Sequence, residues 1–107
     1  MMNKIYTVDE IKSIVIPIAK RHGIAKVFLF GSYARGAANN NSDIDLCIET
    51  PDVRGLFALG SLYADLEDAL NKNLDLVTEN SLRYNEDARF VDNLRRDRIL
   101  IYEQLQW

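Results

Sequence analysis

Residues 43–49 read Asp-Ile-Asp-Leu-Cys-Ile-Glu, and this alternation constrains the chain more than any other stretch. A period of two puts Ile44, Leu46 and Ile48 on one face of a strand and Asp43, Asp45, Cys47 and Glu49 on the other. The first face belongs to a core and the second is open. Aspartate is disfavoured in strands, so two of them in an apolar run need a reason. Residues 74–78, Leu-Asp-Leu-Val-Thr, repeat the pattern with Leu74 and Leu76 on one face and Asp75 and Val77 on the other. Two strands of this kind place three acids on the open side of a sheet.

The remaining segments supply that sheet with helices. Thr7-Val8-Asp9-Glu10 is a capping box, in which Thr7 accepts from a helical amide and Glu10 reaches back. Ile11, Ile14, Val15 and Ile18 follow at helical spacing, with Pro17 expected to kink the helix or shift its bonding and Gly23 to end it. Residues 26–30, Lys-Val-Phe-Leu-Phe, predict a strand that ends at Gly31, and residues 32–35 a first helical turn. Pro51-Asp52 opens a connection, and the stripe Leu56, Leu59, Tyr63, Leu66, Leu70 predicts a helix over residues 54–71. A last helix covers residues 87–97 through Val91 and Leu94, while residues 99–102 suit either a helix extension or a short strand. The expected fold is α+β, a small mixed sheet with helices packed on one face, in a single domain over residues 1–107.

Composition narrows the function. A net charge of −3 argues against broad nucleic-acid binding, which needs a basic face. The N-terminus has no apolar stretch of the signal-peptide kind, and the longest apolar run, Ile14 to Ala19, is far short of the ~20 residues of a membrane span. The single cysteine, Cys47, cannot form an internal disulfide. A soluble cytoplasmic protein is expected.

Asp43 and Asp45 lie about 6.5–7 Å apart along a strand and project the same way. Two carboxylates so placed can lean onto divalent cations, which prefer hard oxygen ligands and keep positions open for phosphate. A two-metal site is helped by a third carboxylate, and Asp75 is the candidate if the two strands are neighbours. A lone aspartate at a strand edge is ordinarily a solvated residue; three in two apolar strands are harder to read that way. A calcium loop does not fit, because Ile44 stands where the turn glycine belongs and Thr50 where the bidentate Glu belongs.

Upstream, Gly31-Ser32-Tyr33-Ala34-Arg35-Gly36 resembles the opening of a phosphate loop, but Ala37-Ala38 replace the required Lys-Ser/Thr. Between a strand and a helix it can do related work. Gly31 admits close approach of a phosphate, the first helical amides point at it, Ser32 adds a donor and Arg35 a charge. An ordinary tight turn is the plainer alternative. Joined to the carboxylates, the turn makes a nucleoside triphosphate with Mg²⁺ the matching ligand.

Gly31-Ser32, ten intervening residues and Asp43-x-Asp45 together resemble the signature of the DNA polymerase β-like nucleotidyltransferase superfamily. The fuller GSYARG…SDIDL is similar to its minimal nucleotidyltransferase (MNT) branch, and Asp75 falls where that family has its third carboxylate. The resemblance covers most of the chain and implies a polymerase β palm-like fold. It implies that Asp43 and Asp45 hold Mg²⁺, two ions in all, and that Asp75 completes the second metal site and helps deprotonate the attacking hydroxyl. Gly31 and Ser32 would bind the β- and γ-phosphates of ATP, with Arg35 beside them. It further implies an antitoxin that transfers AMP from ATP to a tyrosine of a cognate HEPN-domain RNase toxin. A non-catalytic antitoxin acting by binding, or a small-molecule nucleotidyltransferase subunit, are the alternatives.

Other residues are expected to be structural. His22 reads as a helix-end residue, Cys47 as packing, and Arg95-Arg96-Asp97-Arg98 as a solvated helix face offset by Glu86, Asp87 and Asp92. Tyr33, Phe57, Tyr63 and Trp107 could line an interface.

Overall fold

The computed structural model describes residues 4–50 and 55–105, the side chains of residues 55 and 56 excepted. Pro51-Asp52, the Leu56 side chain and Trp107 therefore lie outside the described residues. The elements run α1 (Val8–Arg21), β1 (Lys26–Phe30), α2 (Gly31–Ala34), β2 (Ile44–Glu49), α3 (Gly55–Leu70), β3 (Leu74–Thr78), α4 (Glu79–Leu82), α5 (Ala88–Asp97) and β4 (Ile99–Glu103).

Local chemistry sets the helix ends. The Thr7–Glu10 capping box is complete, with the Glu10 amide donating to Thr7 Oγ1 at 3.1 Å and the Thr7 amide to Glu10 Oε1 at 2.9 Å. The helix continues through Pro17, which stands on its exposed side, and closes at His22 and Gly23. Thr78 caps α4 and Asp87 caps α5, each accepting a bond from an amide three residues on.

The four strands form one mixed sheet in the order β3-β2-β1-β4. β1 pairs antiparallel with β2 and with β4, while β2 and β3 run parallel, joined through α3. A parallel pair needs such a crossover, so the long helix between the two acidic strands is what lets them lie side by side. Residues 99–103 settle as an edge strand; a bulge interrupts the β1–β4 register between Val27 and Phe28.

The expected α+β fold is present, with the two long helices on one face. Ile11, Val15 and Ile18 of α1 and Leu62, Leu66 and Leu70 of α3 cover Val27, Leu29, Ile44, Leu46, Ile48 and Leu74. The opposite face is less open than strand alternation suggests. Leu82 of α4 and Leu94 of α5 close over Phe30 and Cys47, with Phe90 edge-on to Phe30 at 6.2 Å between ring centres. Leu46, Cys47 and Ile48 are consequently all buried. The last two helices cover one end of this face and leave the aspartate end uncovered. They are also tied to each other: Glu79 accepts from Arg98 at 2.8 Å and pairs with Arg95 at 3.5 Å, and the Arg98 guanidinium lies 3.9 Å from the centre of the Phe28 ring. The basic stretch near the C-terminus thus works inside the molecule and is not simply a solvated face.

Candidate active site

The sheet register builds the site around Asp45. In the antiparallel β1–β2 pair Asp45 stands opposite Phe30, and in the parallel β2–β3 pair it stands opposite Asp75. Neighbouring strands are about 4.8 Å apart, so Asp45 and Asp75 present their carboxylates side by side on one face. Asp43 immediately precedes β2 and does not lie within it. It is exposed, as is Asp75, whereas Asp45 is half-buried between them.

The chain leaves β1 directly over Asp45. Gly31 has φ +73°, and a Cβ there would come within 2.9 Å of Asp45 Cγ and 3.3 Å of its Cβ, and closer still to Oδ2. Glycine is therefore required twice, for the left-handed backbone and for the space the carboxylate occupies. The short α2 that follows differs from α1, α4 and α5 in having no side-chain cap: its cap residue is Phe30. Its first amides are thus left without the partner a polar cap gives elsewhere. At its other end the Gly36 amide bonds back to the Tyr33 carbonyl and the Ala37 amide to the Ser32 carbonyl, with Gly36 at φ +71°. The second glycine of the GSYARG stretch stops the helix in a Schellman turn, and only the first faces the carboxylates.

Electrostatics reports the same convergence. Asp45 has its pKa pushed up to about 6, first by burial and then by the charges of Asp75 and Asp43, while Arg35 opposes the shift. The three predicted acids and the predicted arginine therefore act on one another in space. Among the described residues none of the three carboxylates has a hydrogen-bond or ion-pair partner, and no three His, Cys, Asp or Glu side chains form a closed ligand set. An all-oxygen, like-charged, half-open cluster nonetheless suits a hard divalent cation whose remaining positions are filled by substrate phosphate. A cation there would offset the charges of Asp75 and Asp43, which add to burial in raising the Asp45 pKa.

The residues set aside have structural partners. His22 Nε2 lies 2.7 Å from Asp65 Oδ2, joining the end of α1 to α3. Cys47 is fully buried, and burial with the nearby Glu79 charge pushes its thiol to about 12, which leaves it inert. Tyr33 is buried and unavailable to an interface, whereas Phe57 is 96% exposed. One residue near the acids had no distinguishing mark in the sequence. Tyr63 reads as one member of an apolar stripe, yet its hydroxyl reaches the start of β3, at the edge of the acidic cluster.

Comparison with known proteins agrees with this geometry. The profile of the family described as "Polymerase beta, Nucleotidyltransferase" matches residues 12–106. A Methanocaldococcus jannaschii protein provisionally named a protein adenylyltransferase is 38% identical over 93 residues, spanning 87% of this chain and 90% of that protein. The protein adenylyltransferase MntA of Thermococcus cleftensis is 33% identical over 81 residues, 72% of this chain and 82% of that one. A solved complex of a tri-AMPylated Shewanella oneidensis HEPN toxin with an MNT antitoxin superimposes with a TM-score of 0.66 over 92% of this chain and 74% of that one, at 19% identity. With a carboxylate cluster under an uncapped Gly-Ser turn, and with these relatives, the chain belongs to the polymerase β-type nucleotidyltransferases, in their minimal branch.

Proposed function

We propose that this nucleotidyltransferase is an antitoxin that transfers AMP from ATP to a tyrosine hydroxyl of a HEPN-type RNase toxin. The observation that carries the chemistry is the position of Asp45, enclosed by the Gly31 backbone on one side and Asp75 on the other, with Asp43 beside it. The protein acceptor is supported by the adenylyltransferase names of the relatives and by the toxin–antitoxin complex that shares the fold.

In this reading the amides of Gly31 and Ser32, with the Ser32 hydroxyl, receive the β- and γ-phosphates, and Arg35 adds positive charge beside them. Asp43 and Asp45 would hold Mg²⁺ on the triphosphate, and Asp75 would complete a second metal position. Bound Mg²⁺, two ions in this reading, would supply charge neutralisation to the reacting phosphates. Asp75 would help remove the proton of an incoming hydroxyl, which attacks the α-phosphorus in line as the bond to pyrophosphate breaks. Nearly all of the rate enhancement comes from positioning and charge stabilisation.

The test is incubation of the chain with α-labelled ATP, Mg²⁺ and its HEPN partner, followed by mapping of the label. Transfer to a tyrosine of the partner is expected, and Asp43→Asn/Asp45→Asn abolishes it. An active partner left unlabelled with any nucleotide would overturn the proposal. A double variant that neutralises the toxin as well as wild type does would show that binding alone suffices.

A further inference from the structure

We infer that Tyr63 is a positioning residue for Asp75, fixing the start of β3 through its hydroxyl so that the Asp75 carboxylate stays beside Asp45. The inference rests on the reading of Asp75 as the third metal-binding carboxylate.

The Tyr63 hydroxyl lies 3.0 Å from the Leu74 carbonyl and 3.2 Å from Glu67 Oε2. It has one proton to donate, and the nearer Leu74 carbonyl and the charged Glu67 carboxylate share it. Leu74 is the first residue of β3 and pairs with Ile44; the next pair is Asp75 with Asp45. A bond to the Leu74 carbonyl therefore restrains the peptide that joins Leu74 to Asp75. Two further links converge there. The Ile44 amide donates to the Asn73 carbonyl at 3.0 Å, and Lys72 Nζ donates to the Asn40 carbonyl at 3.0 Å. These two tie the Asp43 loop to the α3–β3 turn. The Tyr63 bond ties that turn to the body of α3, whose Leu62, Leu66 and Leu70 are locked in the core. It adds a side-chain anchor at the one end of β3 where Asp75 stands, beyond the pairing of β3 with β2.

The phenol is also suited to remain a donor. Burial, the Glu67 carboxylate and the charges of Asp75 and Asp43 hold its pKa above the ordinary value of 10. Asp75 and Asp43 add to that rise after burial and Glu67.

Tyr6 provides an internal control. Its hydroxyl donates to the Leu70 carbonyl at 2.6 Å, another tyrosine–backbone bond to the end of α3, but one that does not reach a β3 peptide. The experiment is a Mn²⁺ titration by electron paramagnetic resonance on the full chain with the α,β-methylene analogue of ATP, for wild type, Tyr63→Phe, Tyr6→Phe and Asp75→Asn. Thermal melts measure the stability of each. Tyr63→Phe should weaken Mn²⁺ binding about tenfold, as loss of a residue that orients a ligand does. Tyr6→Phe should lower the melting temperature comparably and leave the Mn²⁺ affinity unchanged. A Tyr63→Phe variant that binds Mn²⁺ as wild type does, while Asp75→Asn does not, overturns the inference alone. Equal weakening in Tyr63→Phe and Tyr6→Phe also overturns it, since the effect would then be one of general stability. An unaltered Asp75→Asn overturns the reading of Asp75 and the inference together.

Discussion

Three positions carry most of the meaning at the scale of single residues. Gly31 cannot accept a Cβ without displacing Asp45. Gly31→Ala should therefore cost about 2 kcal/mol or more in stability and about a hundredfold in transfer rate, because the carboxylate must move to make room. Denaturant unfolding and initial rates check both. Asp45 makes the opposite trade. Its folded pKa of about 6 lies above the ordinary carboxylate value of 3.8. Below pH 3.8 it is protonated in both states and has no effect. Between the two values only the folded state holds the proton, and above about 6 the folded state bears the full cost of an ionised, crowded carboxylate. Stability without metal should thus fall as pH rises through the 4–6 window. Asp45→Asn should stabilise the metal-free protein at pH 7 by about 1 kcal/mol, a value reduced for solvent screening, and have no effect near pH 3.5. Melts of the two proteins across pH test this; a variant no more stable at neutral pH would contradict it. Tyr33 is simpler: its ring is 4% exposed and its hydroxyl is buried without a hydrogen-bond partner among the described residues. Tyr33→Phe should gain about 1–2 kcal/mol, because it removes the cost of desolvating that group.

At the scale of elements, the sequence-level reading and the structure diverge for identifiable reasons. The helices at residues 8–21 and 88–97 and the strands at 26–30, 44–49 and 74–78 follow from caps and periodicity, which are local. The edge strand Ile99–Glu103 could not be read locally, since an apolar segment after a helix becomes a strand only by pairing with β1. The covering of Cys47 was equally hidden, because it depends on α4 and α5 folding back and on the Glu79 pairing with Arg95 and Arg98. Leu94 is the main apolar anchor of α5. Leu94→Ala should cost about 2–4 kcal/mol in chemical denaturation. It should also expose the Cys47 thiol to alkylation while leaving the aspartate end of the sheet in place.

At the scale of the whole molecule, like charge gathers at one end of a sheet whose other end is partly covered on its second face by α4 and α5. On the proposed reading a bound cation satisfies these carboxylates, so binding should report on them directly. Mg²⁺ with a non-transferable ATP analogue at a hundred times its dissociation constant should stabilise the wild type by about 2.7 kcal/mol. Chelation should remove the gain, and Asp43→Asn/Asp45→Asn should never show it. The sequence by itself determined which side chains face the site: a period of two is a property of the strand backbone, so Asp45 and Asp75 were committed to the faces opposite Leu46 and Leu76 before any pairing. It also determined that a glycine would end β1. Only the tertiary structure decided that Asp75 stands opposite Asp45, that Gly31 closes over the same carboxylate, and that Tyr63 reaches the peptide preceding Asp75. Those relations depend on the register of a parallel pair set by a helical crossover, and register is the product of long-range packing, which no window of sequence contains.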